Sequence, residues 1–142
     1  DERETLVIMR PDGTEILRRQ GERDRVDFSD IPRAQVRGTI MSHNHPSGTS
    51  FSIQDVQTAI EHQVLETRVI TADAVYIMRI PDWVEWDDVK DLIRDKFREF
   101  TRDDVQRSNL EGLDLEELAQ TRMHRVWIEV AEIRSWQYER IP

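Results

Sequence analysis

Residues 36–65 constrain the fold more than any other stretch, because three local chemistries follow one another there without a break. Residues 36–42 (VRGTIMS) read as a strand. They run straight into His43-Asn44-His45-Pro46-Ser47-Gly48-Thr49-Ser50, whose Pro, Gly and Ser content marks a loop. Ser52 then stands three residues before Asp55, the spacing of a helix N-cap with an acidic residue in the first turn. Ile53, Val56, Ile60 and Val64 follow at helical spacing with Ala59 beside them, which predicts a helix over 53–65.

Strand signals lie on both sides of this unit. Residues 5–10 (TLVIMR) are apolar and β-branched, Pro11-Asp12-Gly13-Thr14 supplies turn chemistry, and 15–18 reads as the return strand of a hairpin. Residues 21–25 form a charged connector, Val26-Asp27-Phe28 alternates as a short strand, and Ser29-Asp30-Ile31-Pro32 closes it. Residues 68–71 and 75–80 are further strands, the second ended by Pro81. Beyond Pro81 the period turns helical. Val89, Leu92, Ile93, Phe97 and Phe100 mark one stripe. Leu115, Leu118, Ala119, Val126, Trp127 and Val130 mark another. Asn109-Leu110-Glu111-Gly112 separates the two, and Asp114 suits the cap of the second. Residues 136–141 alternate and can return to the sheet.

The order predicts an α+β fold, a mixed sheet with flanking helices. Residues 1–81 form the core, and 82–142 a mostly helical extension packed on it as one compact unit. Trp83 and Trp86 are expected as core anchors and the 115–130 stripe as core. Residues 82–104, with nine acids and five bases, read as a solvated helix face. A chain of 142 residues buries roughly 68–70% of its unfolded surface, enough for a genuine core. A net charge of −9 opposes nucleic-acid binding, which needs clustered Lys and Arg. The absence of cysteine excludes disulfides, a thiol nucleophile and cysteine-ligated zinc. No apolar run approaches the length of a membrane span. Asp1 is not an initiator methionine, so the chain is expected to be part of a longer polypeptide, and the absence of cysteine is compatible with the expected cytoplasmic location.

His43-x-His45 carries the chemistry. Side chains at i and i+2 of an extended segment point the same way, so two imidazoles can reach one ion. Asp55, in the first turn of the next helix, can fold back toward them. Two imidazoles and a carboxylate leave one position of tetrahedral zinc open, the pattern of a catalytic rather than a structural site. The positive end of the helix that begins after Ser52 favours negative charge nearby. His62 and His124 are expected on helix surfaces. An HNH-nuclease reading fails, because those enzymes spread the three residues over a ββα unit.

The segment His43-Asn44-His45-Pro46-Ser47-Gly48, followed by Ser52-x-x-Asp55, resembles the signature of the JAMM/MPN+ (JAB) metalloproteases and is similar to their RadC-like HNHPSG branch. The resemblance covers about residues 1–80. Its gap from His45 to Ser52 is one residue shorter than the family's usual spacing, and nothing beyond residue 82 matches the family. It implies a JAMM/cytidine-deaminase-like core in which His43, His45 and Asp55 bind zinc, a glutamate takes the proton of the attacking water, and Ser52 donates to the oxyanion. Glu4, just before the first strand, fits the glutamate's place. Glu2 shares its strand face and Glu15 lies on the return strand. The implied reaction is hydrolysis of an amide in a protein or peptide, including isopeptides next to the glycine tail of a ubiquitin-like protein. Similar HNHPSG domains end phage head-morphogenesis proteins. That implies a second reading, a virion-associated, non-catalytic assembly module.

Overall fold

The computed structural model describes residues 3–21 and 30–142 of the chain. Among them six strands form one mixed sheet: β1 (Thr5–Met9), β2 (Glu15–Gln20), β3 (Ile40–Asn44), β4 (Glu66–Ile70), β5 (Val75–Arg79) and β6 (Gln137–Ile141). Their spatial order is β2-β1-β3-β4-β5-β6. β3 and β4 pair in parallel; every other neighbouring pair is antiparallel. A parallel pair needs a crossover, and the capped helix α2 (Ile53–Glu61) supplies it. With the long helices α3 (Trp86–Glu111) and α4 (Leu115–Arg134) the fold is α+β, as the sequence predicts.

The hairpin joining β1 to β2 turns on Gly13, whose φ of +92° favours glycine, while Asp12 accepts from the Thr14 amide at 2.9 Å. Alternation along β1 buries Leu6 and Ile8 against Met41, Ala59 and Val64. The larger core lies under β4 and β5, where Val69, Tyr76 and Met78 meet Phe51, Val56 and Ile60 and the inner faces of α3 and α4. Trp127 is its largest fully buried side chain. Burying a side chain such as Phe51 or Val126 contributes about 1.5–3 kcal/mol each, so the long helices are held mainly by their apolar faces. Gly112, at φ +72°, ends α3, and Asp114 caps α4 by accepting from the Glu116 amide at 2.8 Å.

The strand expected over 36–42 begins later. Val36 closes a short helix, α1 (Arg33–Val36), and Gly38 turns in the left-handed region at φ +73°. Its amide then reaches Gln63 O at 3.0 Å, tying this turn to the end of α2. β3 therefore starts at Ile40 and runs through Asn44, which puts His43 inside the sheet rather than in a loop. The helix expected over 53–65 ends at Glu61, because Gln63 adopts φ +52°, yet Val64 remains buried and so mimicked a further helical turn. The short strand expected at 26–28 falls outside the described residues.

Trp83 is not a core anchor: it is 76% exposed, while Trp86 packs against the core and Trp127 and Trp136 are buried within it. The 115–130 stripe is core only from Val126 onward. Leu115 and Ala119, in the first two turns of α4, are exposed. Among the described residues no helix is long and apolar enough to cross a membrane.

Candidate metal centre

His43 is the fourth residue of β3, paired with Leu6 of β1 on one side and Val69 of β4 on the other. It therefore sits in the middle of the sheet, on the face that carries Leu6 and Ile8. His45 follows two residues later, just past the strand end, with its amide still bonded to Ile70 O at 2.9 Å. The extended backbone turns both rings to the same side. Their Nε2 atoms lie 3.0 Å apart, and the ring planes are inclined at 66°.

Asp55 enters from the first turn of α2. Its Oδ2 lies 3.4 Å from His43 Nε2 and 3.1 Å from His45 Nε2. The same oxygen accepts the Ser52 amide at 2.8 Å, while Ser52 Oγ accepts the Asp55 amide at 3.0 Å. This capping box fixes the carboxylate's direction through the helix that carries it. Ser52 Oγ acts there as an acceptor, so its hydroxyl proton stays available. Ser52 itself is exposed.

Glu4 immediately precedes β1 and is buried. One of its oxygens lies 3.5 Å from His45 Nε2, and one ligand atom each from Glu4, His43 and His45 can be chosen with all three within 4.8 Å of one another. Asn44 holds Glu4 in place. Its Oδ1 accepts the Thr5 amide at 2.5 Å and its Nδ2 donates to Arg3 O at 3.1 Å, so one side chain grips the backbone on both sides of the glutamate. Sequence reasoning missed this role; Asn44 lies between the two histidines on the opposite face of the extended chain, and only the pairing of β1 with β3 reveals its partners.

The second nitrogen of His45 completes the arrangement. Nδ1 lies 2.8 Å from Thr49 O, and a carbonyl can only accept, so Nδ1 carries a proton and, in the neutral ring, Nε2 presents a lone pair. Burial disfavours charge on His45, but the Asp55 carboxylate, the Thr49 carbonyl and Glu4 outweigh it and raise its pKa. Burial likewise opposes charge on Asp55, and His43 and His45 overcome it, holding its carboxyl well below the usual carboxylate range. The pocket draws positive charge, whether proton or metal cation.

The donor set fits a tetrahedral ion. His43 Nε2, His45 Nε2 and Asp55 Oδ2 form a triangle with edges of 3.0, 3.1 and 3.4 Å. Ligands about 2.0–2.1 Å from a tetrahedral zinc stand about 3.3–3.4 Å from one another, so small shifts would seat all three. Two imidazole nitrogens with carboxylate oxygens suit a divalent first-row metal ion. Glu4, with one oxygen within 4.8 Å of both histidine donors, can serve as a further ligand.

Of the other glutamates named from sequence, the one described, Glu15, does not join this group. Glu15 is exposed and bonded to Arg18 at 2.7 Å, and Glu2 lies outside the described residues. His62 stands at the end of α2, with Nδ1 2.8 Å from Thr58 O. His124 is not on the helix surface, as expected, but half-buried beside Tyr76 and Tyr138, with Nδ1 2.7 Å from Tyr138 OH. Comparisons with protein-family models, curated proteins and solved structures return no match, so the site stands on its own geometry.

Proposed function

We propose that the chain is a zinc-dependent hydrolase of JAMM type that cleaves an amide or isopeptide bond in a protein or peptide. The observation that carries this reading is the convergence of His43 Nε2, His45 Nε2 and Asp55 Oδ2 on one point, with the buried Glu4 carboxylate beside them. Three protein donors leave a coordination position open, which a structural site does not. The HNHPSG and Ser-x-x-Asp resemblance supports the same assignment.

In this reading His43, His45 and Asp55 hold zinc, and Thr49 O and the α2 capping box orient two of the three. A zinc ion there supplies Lewis acidity and can lower the pKa of water from ~15.7 to about 7. Glu4 takes the proton of the attacking water as the C–O bond forms, and returns it to the leaving nitrogen as the tetrahedral oxyanion collapses and the C–N bond breaks. The exposed Ser52 hydroxyl donates to the developing oxyanion while its oxygen keeps the helix cap. The net charge of −9 supports a protein or peptide substrate over nucleic acid.

The test is hydrolysis of a peptide panel and of isopeptide-linked ubiquitin-like conjugates by zinc-loaded protein. Cleavage that disappears on chelation and in Glu4→Gln supports the reading. A protein that binds zinc stoichiometrically and cleaves none of these substrates would leave a metal-binding module in place of a peptidase.

A further inference from the structure

The loop after His45 is gripped from outside by the C-terminal helix and strand. Gln120 of α4 donates to Ser47 O at 2.6 Å, and Trp127 of α4 donates from Nε1 to Phe51 O at 2.8 Å. Gly48 makes the first approach feasible. Its φ is +80°, and a Cβ there would stand 3.1 Å from Gln120 Nε2. Between these two anchors lies a third. Tyr138 OH of β6 is 2.7 Å from Ser50 Oγ and 2.7 Å from His124 Nδ1 of α4. Burial, aided by Arg140, lowers the His124 pKa, and its ring, the Tyr138 hydroxyl and the Ser50 hydroxyl form one hydrogen-bonded chain.

This chain ends on a functional atom. Ser50 N and the Thr49 carbonyl belong to one planar peptide unit, and that carbonyl is the acceptor for His45 Nδ1. Fixing Ser50 by its side chain therefore fixes the plane that selects the His45 tautomer. We propose that Tyr138 is a positioning residue for His45, acting through Ser50 and the Thr49 carbonyl, so that β6 and α4 set the metal affinity of a site they do not touch. The affinity half of this proposal rests on the zinc reading above; the tautomer half does not.

Tyr138→Phe is a clean probe, because the ring stays packed between Phe51 and Tyr76, at centroid distances of 6.3 and 6.5 Å. Ser50→Ala removes the same bond from its other end. Tyr76→Phe is the control: it deletes a hydroxyl from the same cluster that meets Arg140 rather than the loop. The measurement is the ¹⁵N spectrum of the His45 ring in metal-free protein at alkaline pH, together with zinc affinity by chelator competition and a thermal melt. Wild type and Tyr76→Phe should show His45 as the Nδ1–H tautomer. Tyr138→Phe and Ser50→Ala should stay folded, show averaged tautomer shifts, and bind zinc about tenfold more weakly, the lower end of the cost of losing a group that orients a ligand. An unchanged His45 spectrum in Tyr138→Phe overturns the proposal, as does an unchanged affinity in a protein that binds zinc. If wild type takes up no zinc, the zinc reading falls and the spectra alone decide the positioning role.

Discussion

The Nε2 atoms of His43 and His45 face each other across 3.0 Å, although only one of the two residues belongs to a strand. The relationship arises from register. His43 ends the stretch of β3 that pairs with Leu6, and the backbone stays extended for one more alternation before Pro46 turns it away. Two imidazole nitrogens and the Asp55 carboxylate directed at one point, with Glu4 beside His45, make an arrangement that a shared proton or a metal cation satisfies.

Glu4→Gln separates base from ligand. As the base, Glu4 can be replaced by nearly isosteric glutamine with fold and zinc content kept and turnover lost, since glutamine takes no proton. Zinc analysis alongside the peptide assay checks this. Loss of zinc in Glu4→Gln would make Glu4 a ligand instead.

Asn44 should matter through Glu4. Asn44→Ala removes both grips on the Arg3 and Thr5 backbone, which frees the glutamate without touching the three donors. Zinc content should persist while kcat falls by about 10-fold to 10²-fold, the range expected when a catalytic group is displaced by about 1 Å. A normal kcat in folded Asn44→Ala would show that other contacts suffice to hold Glu4.

Ser52 carries two roles that substitution can divide. Ser52→Ala should cost about 1 kcal/mol of stability through the lost cap. It should also raise the barrier by about 2.7–4 kcal/mol if the hydroxyl serves the oxyanion. Ser52→Asp keeps a cap acceptor but brings negative charge, so it should be folded and inactive; Ser52→Asn should keep partial activity. Melts and kinetics on the three variants decide, and near-normal turnover in Ser52→Asp leaves Ser52 as a cap only.

The convergence of His43, His45 and Asp55 was legible because it is local. His43, His45, Ser52 and Asp55 fall within one strand–loop–helix unit, and the capping box announced itself by the spacing of Ser52 and Asp55. The hairpin, the two long helices and the return strand were legible from period and turn chemistry. What escaped depends on partners distant in sequence. Gly38 ends a helical turn because its amide meets Gln63, and nothing near residue 38 states that. Trp83 and Trp127 look equally suited to a core, and only the placement of α4 on the sheet decides between them. His124 meets Tyr138 fourteen residues away, and Asp104 meets Arg122 and Arg125 across the helical hairpin.

Asp104 is fully buried between α3 and α4, bonded to Arg122 at 2.8 Å and to Arg125 at 2.9 and 2.8 Å. Burial opposes its charge, but the two guanidinium groups prevail and lower its pKa. The folded state therefore binds that proton less readily than the unfolded chain. The stabilisation is complete above the ordinary carboxylate value of 3.8 and is lost as pH falls through the lower folded value. Asp104→Asn should cost about 3 kcal/mol near neutral pH, since it leaves two cations facing a neutral amide. Urea midpoints of both proteins at neutral and acidic pH test this, and the gap between them should narrow in acid. A gap that is absent at neutral pH would remove the ion pair from the account.

The most direct test of the central claim is the zinc content of the full chain, measured after incubation with zinc and removal of the excess, for wild type and for the His43→Ala/His45→Ala double variant. The geometry predicts one zinc per wild-type chain and none retained by the double variant. A wild-type protein that holds no zinc, or a double variant that holds as much as wild type, would contradict it.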